Sequence, residues 1–421
     1  MRQGPRGIRR ALAGAALLAA LGAAAGCQDA GAKYSTRYYY TTTDDGITLA
    51  LRRYEPKNRA ANRDPVILCH GLSYNLLFWD LDGKVSLPRY LAEAGYDVWS
   101  LSLRGSSPSS QPLQSAVRRM ARFNLDPALL TTLKERLRDV TLTDWSVDDH
   151  IRHDVPAALA LVREQTGHRR AHWIGHSMGA MVMFAYLGTA QNGEDDAVRT
   201  FVALAAPMAM FQPLNEPCQF LLDSHVALAV GSAMVGSSST AAVGAIFGDL
   251  GLPKDRLFYN GRNIEGSVLR ALFQRAEEEI SARQLTQLLN MVRSERFTSL
   301  DGSVDYTAGL SRVTRPSYLL AGTVDNMASV GAVQYAFREI RSNPKEFRLF
   351  GRVNGQQEDY GHDDLVIGRQ ARQEVYPTIL QWLEGFPNVP GDEPFLLQPG
   401  PGAPGAGEPP APTGGSSLDG G

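Results

Sequence analysis

Gly175-His176-Ser177-Met178-Gly179 is the stretch whose residue types and spacing most directly promise chemistry. It follows a strand-type run at 171–174 and opens a helical pattern at 178–187, so the serine is expected on a strand-to-helix turn. So tight a turn forces the serine into a strained backbone, tolerable only where Gly175 and Gly179, two residues away on either side, carry no side chains. The serine oxygen is then lifted clear of the chain. Ser177 also falls at a helix N-terminus, where unpaired N–H groups favour the negative charge that grows on a carbonyl oxygen under attack. The chemistry this implies is nucleophilic acyl transfer.

A serine needs a base at neutral pH, and in a strand-to-helix site of this kind the partners follow in the order serine, acid, histidine. After Ser177 only His225 and His362 remain, and His225 precedes any strand that could deliver an acid. His362 is therefore the expected base, on a loop at 359–364 between a strand near 350 and a helix near 370. For the acid, Asp325 lies just past a strand-type run at 317–320, at the sheet edge where ligands bind in open α/β sheets. It would hold the imidazole tautomer and stabilise the charged ring. Asp325 could instead cap the helix beginning near 329. Asp359, Asp363 and Asp364 are rival acids, though they stand close to His362 in sequence.

Upstream, His70-Gly71-Leu72-Ser73 follows the apolar run at 66–69. A turn there brings backbone N–H groups to the same edge, and the amides of Leu72 and Met178 are placed to supply the two donors an oxyanion needs. Tyr74, Phe78 and Trp79 come next and either line an acyl pocket or pack in the core. His150 and His153, flanked by Asp148, Asp149 and Asp154, have a spacing that could ligate a metal, but acidic residues early in a helix more often serve as caps and dipole partners. The expected chemistry needs neither metal nor organic cofactor.

The elements that must position these residues alternate. Strand-type runs at 66–69, 97–101, 171–174, 201–204, 317–320 and 346–350 interleave with helical patterns at 88–94, 147–165, 178–187, 331–340 and 370–384. That is the pattern of an α/β fold, a mostly parallel sheet covered by helices on both faces. An antiparallel hairpin is expected ahead of it, 38–43 with 48–54, around Asp44-Asp45-Gly46. From 208 to 310 the rhythm lapses into helical patterns such as 269–291, which predicts a helical cap inserted between two parts of the core, 37–207 and 311–386.

The 421 residues carry 42 basic and 44 acidic side chains, so no basic field exists to attract nucleic acid. The N-terminus reads as an export signal: Arg2, Arg6, Arg9 and Arg10 precede an apolar stretch at 11–25 that falls short of the ~20 residues a membrane span requires. It ends in Ala24-Ala25-Gly26-Cys27, which resembles a bacterial lipoprotein cleavage site. That resemblance implies lipid attachment at Cys27 and an envelope location, with plain secretion as the alternative. Residues 1–27 form this segment, 28–36 a polar tether, and the Pro/Gly-rich 387–421 a disordered tail. Cys69 and Cys218 are the other cysteines, and no disulfide framework is expected.

Taken in order, the stretches ILCHGL, LAEAGYDVWSLSLRG, WIGHSMG and HDDLVIGRQARQEVYPTI resemble the α/β-hydrolase superfamily, and its acid-lipase branch in particular. The resemblance implies Ser177 as nucleophile, Asp325 as acid, His362 as base, and Leu72 and Met178 as oxyanion donors. The implied substrate is a small-molecule or lipid ester, reached from a membrane anchor. The same fold also serves thioester, polyester or amide cleavage, acyl transfer to another acceptor, or a binding protein of the envelope without catalysis.

Overall fold

Strand β3 (Val66–Cys69) is buried at every position, as is β7 (Ala171–His176), and strands buried throughout belong to sheets covered on both faces. In the computed structural model, which describes residues 33–59, 63–109, 145–191, 193–210, 258–278 and 280–388, they lie side by side in an eight-stranded sheet. The other members are β1 (Tyr34–Thr42), β2 (Thr48–Pro56), β6 (Val98–Ser102), β8 (Val198–Leu204), β9 (Ser317–Gly322) and β10 (Lys345–Phe350), in the order β1-β2-β6-β3-β7-β8-β9-β10. Pairing is parallel from β6 to β10 and antiparallel from β1 through β2 to β6. Edge strand β10 alternates half-buried and exposed residues, as one-sided cover requires. A two-stranded ribbon, β4 (Asp80–Asp82) with β5 (Val85–Ser86), stands apart and is not foreseen by the sequence pattern.

The hairpin closes with Thr42 opposite Thr48 around the expected turn, where Gly46 has φ 88°. β1 begins at Tyr34, so 34–36 belong to the sheet rather than to a tether ending at 36. Residues 1–32, with Cys27 and the apolar stretch before it, and the tail from 389 on lie outside the described residues. Among the described residues no helix is long and apolar enough to cross a membrane. Cys69 is a free thiol buried in β3, and Cys218 lies outside the described residues.

The helices sit where the periodicity puts them. They include α1 (Leu87–Glu93), α2 (Val155–Thr166, continuous with a π turn His150–Asp154 before it) and α3 (Met178–Thr189). Further along come α4 (Ala282–Ser294), α5 (Val330–Glu339) and α6 (Tyr376–Glu384). Ser86, Ser281 and Ser329 cap α1, α4 and α5 through their side chains, each accepting an N–H that the helix leaves unpaired. The pattern at 370–384 breaks at Val375, because Pro377 has no N–H to continue a helix and starts α6 instead.

Of the 208–310 stretch, 211–257 falls outside the described residues. The remainder combines helices with turns and isolated β-bridges, and the run expected at 269–291 is two helices. A helix Gly266–Ala271 passes into a π turn Leu272–Ala276 and stops, and the chain runs extended through Glu277 before α4 starts. The break has a physical cause, since the backbone there pairs with Tyr74, after β3, rather than with itself.

Helix α3 is the centre of the packing, buried at every position but Thr189. It lies on β7 and against the helical turn Tyr306–Gly309. Its close approach to β3 depends on Gly179, where a Cβ would fall 2.3 Å from the Cys69 carbonyl oxygen and 2.5 Å from that of His70. Those neighbours are backbone and cannot step aside. Gly179→Ala is expected to lower the unfolding free energy by about 1–3 kcal/mol, the usual cost of overpacking; an unchanged urea midpoint would show that α3 can shift freely.

Candidate active site

The turn between β7 and α3 has the strain its sequence calls for. Ser177 adopts φ 50° and ψ −121°, a left-handed backbone that a residue with a Cβ holds only when its surroundings impose it. Three bonds do so: its N–H donates to the Leu204 carbonyl of β8 at 2.8 Å, and its own carbonyl accepts from Ala180 at 2.9 Å and Met181 at 3.0 Å. A Cβ at Gly175 would lie 2.5 Å from the Gly179 carbonyl oxygen and from the Ala180 nitrogen. Both glycines are required by space. Ser177 itself is half-buried while its immediate neighbours are buried, so it is the point of access on this turn.

His362 and Asp325 meet. The buried imidazole donates from Nδ1 to Asp325 Oδ2 at 2.9 Å, while Asp325 Oδ1 accepts the N–H groups of Met327 at 2.8 Å and Ala328 at 2.7 Å. Asp325 therefore does not cap α5, a task Ser329 performs. With Nδ1 carrying the proton, Nε2 is the nitrogen left to serve a hydroxyl. Burial alone would lower the His362 pKa, but the Asp325 carboxylate, with Asp363 and Asp364 behind it, raises it above the ordinary imidazole value.

The rivals for the acid are otherwise engaged. Asp359 accepts from Thr323 and from the Arg352 N–H, both at 3.0 Å. Asp363 accepts from the Tyr74 hydroxyl at 2.7 Å, and Asp364 from the Gly361 N–H at 2.9 Å. Burial pushes the Asp363 pKa up to about 7 and that of Asp364 to about 6.

His176, the variable residue of the serine motif, has a function the sequence did not disclose. Its Nε2–H donates to the His362 carbonyl at 3.1 Å, and the two rings lie 4.8 Å apart, so the residue before Ser177 holds the loop of His362. Burial, with the neighbouring His362 second, lowers its pKa well below the ordinary value and keeps the ring neutral. Tyr74, Phe78 and Trp79 are buried and packed: Tyr74 stacks on Phe78 at 4.6 Å, and Phe78 on His176 at 4.8 Å.

After β3, the turn is organised by His70. Its Nδ1–H donates to the Gly71 carbonyl at 2.8 Å and its Nε2 accepts the Leu103 N–H at 3.2 Å, a neutral arrangement that matches a pKa lowered by burial to about 4. In a planar trans peptide the N–H opposes the C=O, so fixing the Gly71 carbonyl toward His70 aims the Leu72 N–H the other way. Gly71 packs on the serine turn, since a Cβ there would lie 3.1 Å from Ser177 Cβ. Met178, whose amide is the second expected donor, is the first residue of α3.

Among the described residues, two sets of side chains bring metal-ligand atoms within 4.8 Å of one another: His176, His362 and Asp363, and the surface set Asp44, Asp45 and His153. In the first, His176 Nε2 carries the proton it donates to His362 and cannot ligate as it stands. In the second, Asp45 is committed to Arg104 and His153 to Asp44. His150 and His153 do not converge. His150 is buried between Asp154 at 2.8 Å and Gln284 at 3.0 Å, and Asp149 closes a capping box with Ser146.

Residues 64–352 match the family model described as alpha/beta hydrolase fold. Triacylglycerol lipase 1 of Arabidopsis thaliana is 25% identical over 376 residues, covering 83% of this chain and 88% of that protein. Gastric triacylglycerol lipase of Homo sapiens is 30% identical over 178 residues, 41% of this chain and 39% of its own length. Among solved structures, an esterase from Exiguobacterium antarcticum shares the fold with a TM-score of 0.50 at 13% identity, over 82% of this chain and 98% of the other. From the serine turn, the parallel sheet behind it and a family match spanning most of the sequence, it follows that this chain belongs to the α/β-hydrolase fold family.

Proposed function

We propose that the chain is a carboxylic ester hydrolase that works by acyl transfer through Ser177, His362 and Asp325, on lipid or other hydrophobic esters. The observation that carries the reading is the 2.9 Å bond from His362 Nδ1 to Asp325, on a loop that His176 ties to the strained serine turn. In the first step His362 Nε2 takes the proton of Ser177 Oγ as that oxygen attacks the ester carbonyl carbon. The carbonyl π electrons move onto oxygen, and the amides of Leu72 and Met178 receive the resulting oxyanion. Collapse expels the alcohol, which takes the proton from Nε2. Water then repeats the sequence on the acyl-enzyme, giving the acid and free Ser177. Losing one oxyanion donor would cost about 3 kcal/mol of barrier.

The substrate class is supported by similarity to Triacylglycerol lipase 1, which spans most of both chains. Export and lipid attachment at Cys27 complete the proposal, supported by the basic residues, short apolar run and small residues ahead of that cysteine.

A fluorophosphonate probe is expected to label the wild type and to leave Ser177→Ala unlabelled; labelling that survives the substitution would sink the assignment. The base must be neutral to act, so kcat/KM is gained as pH rises through the His362 pKa, and its acid limb is expected above the ordinary imidazole value. Asp325→Asn removes the charge that raises that pKa. It should move the limb to lower pH and cut kcat on the order of 10^3–10^4-fold. Across a series of p-nitrophenyl esters, kcat/KM is expected to rise with acyl length, and a preference for acetate over long chains would exclude a lipid substrate. Palmitate fed to a bacterial host expressing the full chain should label wild type and not Cys27→Ser.

A further inference from the structure

The turn that carries Leu72 is not self-supporting. Ser73, next along, has φ 62°, a left-handed conformation that a residue with a Cβ keeps only when other contacts over-determine it. Those contacts come from a segment some two hundred residues away. Glu278 donates its N–H to the Ser73 carbonyl at 2.7 Å and Asn75 donates its N–H to the Ala276 carbonyl at 2.9 Å, so Tyr74 and Glu277 face each other as a short antiparallel pair. Side chains repeat the tie. Asn75 Nδ2 donates to the Arg275 carbonyl at 3.0 Å and to Glu278 Oε1 at 2.8 Å, and the same Oε1 accepts the Ser107 N–H from the loop after β6 at 3.0 Å. Asn75 Oδ1 accepts the Leu77 N–H at 2.8 Å, which fixes the orientation of its amide. Glu278 and Asn75 are both buried, and a buried carboxylate is retained at a cost unless its oxygens find donors.

Resting on the catalytic reading above, we propose that Glu278 is a positioning residue for the oxyanion turn. It joins the turn after β3, the loop after β6 and the segment before α4 at one oxygen, and so holds the Leu72 N–H where charge develops on the substrate. Leu72 touches the reacting atoms; Glu278 acts only through the turn. An error of placement near 1 Å in such a donor costs roughly 10^2-fold in rate, far more than it changes ground-state binding.

The role makes an unusual demand on variants, because the two donors converge on a single oxygen. Glu278→Gln keeps a carbonyl oxygen that can accept both bonds while exchanging the second carboxylate oxygen for an amide nitrogen and losing the charge, whereas Glu278→Met keeps the length and loses the acceptor. Steady-state hydrolysis of a p-nitrophenyl ester by the purified full chain is expected to show kcat reduced at least about tenfold in Glu278→Met with KM within about twofold. In Glu278→Gln, kcat should recover to within about threefold of wild type. A wild-type kcat in the Met variant overturns the proposal, as does a Gln variant as slow as the Met variant, which would make charge rather than placement the cause. Where thermal unfolding shows the Met variant misfolded, Asn75→Ala removes the same tie from the other side, and its rate of fluorophosphonate labelling should fall likewise; an unaltered rate overturns the proposal. Activity persisting in Ser177→Ala would instead refute the catalytic reading, an outcome separate from any result at Glu278.

Discussion

Everything at this sheet edge depends on how closely two backbones approach where β7 turns into α3. With glycine at 175 the chain can reverse within one residue, and with glycine at 179 the first turn of α3 can lie on the last carbonyls of β3. The left-handed Ser177, held by its bonds to Leu204, Ala180 and Met181, is permitted by those two contacts rather than by a local preference, since its own Cβ opposes the conformation. Because α3 is buried almost throughout, its position is set by the whole core, and the core in turn sets where Ser177 stands. Local strain is sustained by global packing. The same approach brings Gly71 against Ser177 Cβ, so the turn after β3 and the serine turn cannot move independently.

A second close approach brings in the histidine. A Cβ at Gly322, the end of β9, would lie 2.3 Å from the Tyr360 carbonyl oxygen, and the Val324 N–H donates to that oxygen at 2.9 Å. The loop bearing His362 is thereby laid along the strand end that delivers Asp325. Electrostatics then separate carboxyl groups that sequence places together. Asp325 accepts the ring's Nδ1–H, while Asp363 accepts from the Tyr74 hydroxyl and Asp364 from the Gly361 amide. Burial pushes the Asp363 pKa up to about 7, and the carboxyl groups around the imidazole together raise that of His362.

Much of this was legible because it is local or ordered along the chain. The run at 66–69 is β3 to the residue, and the serine motif falls on the turn its neighbours demanded. His362 could be chosen by elimination and Asp325 by its place just past a strand, and the two side chains meet. What escaped has no local period. The Tyr74–Asp363 bond spans 289 positions and the Asn75–Glu278 bond 203, so no window of sequence contains both partners. Tyr74 reads as a pocket aromatic and Asp363 as a rival acid until the fold sets them together. The interruption of 269–291 is of the same kind, because residues with sound helical spacing gave up their helical bonds to a distant loop. Tertiary pairing overrode a periodicity that was correctly read.

The stretch after 280 also shows why helical spacing alone does not mark a movable element. Gln284 and Gln287, on the buried side of α4, commit their amides to the core: Gln284 to His150 and to the Met178 sulfur, Gln287 to Asp148 at 2.7 Å and to the Thr298 carbonyl at 2.9 Å. The side-chain Oε1 of Gln287 accepts the Val147 N–H at 2.8 Å, and Asp148 also accepts from Tyr306 and from the Leu300 N–H. Carrying α4 away would strand several of these groups without partners, at about 1–3 kcal/mol for each left buried. Through its buried amides α4 is thus bonded to His150, Met178 and Asp148 of the core.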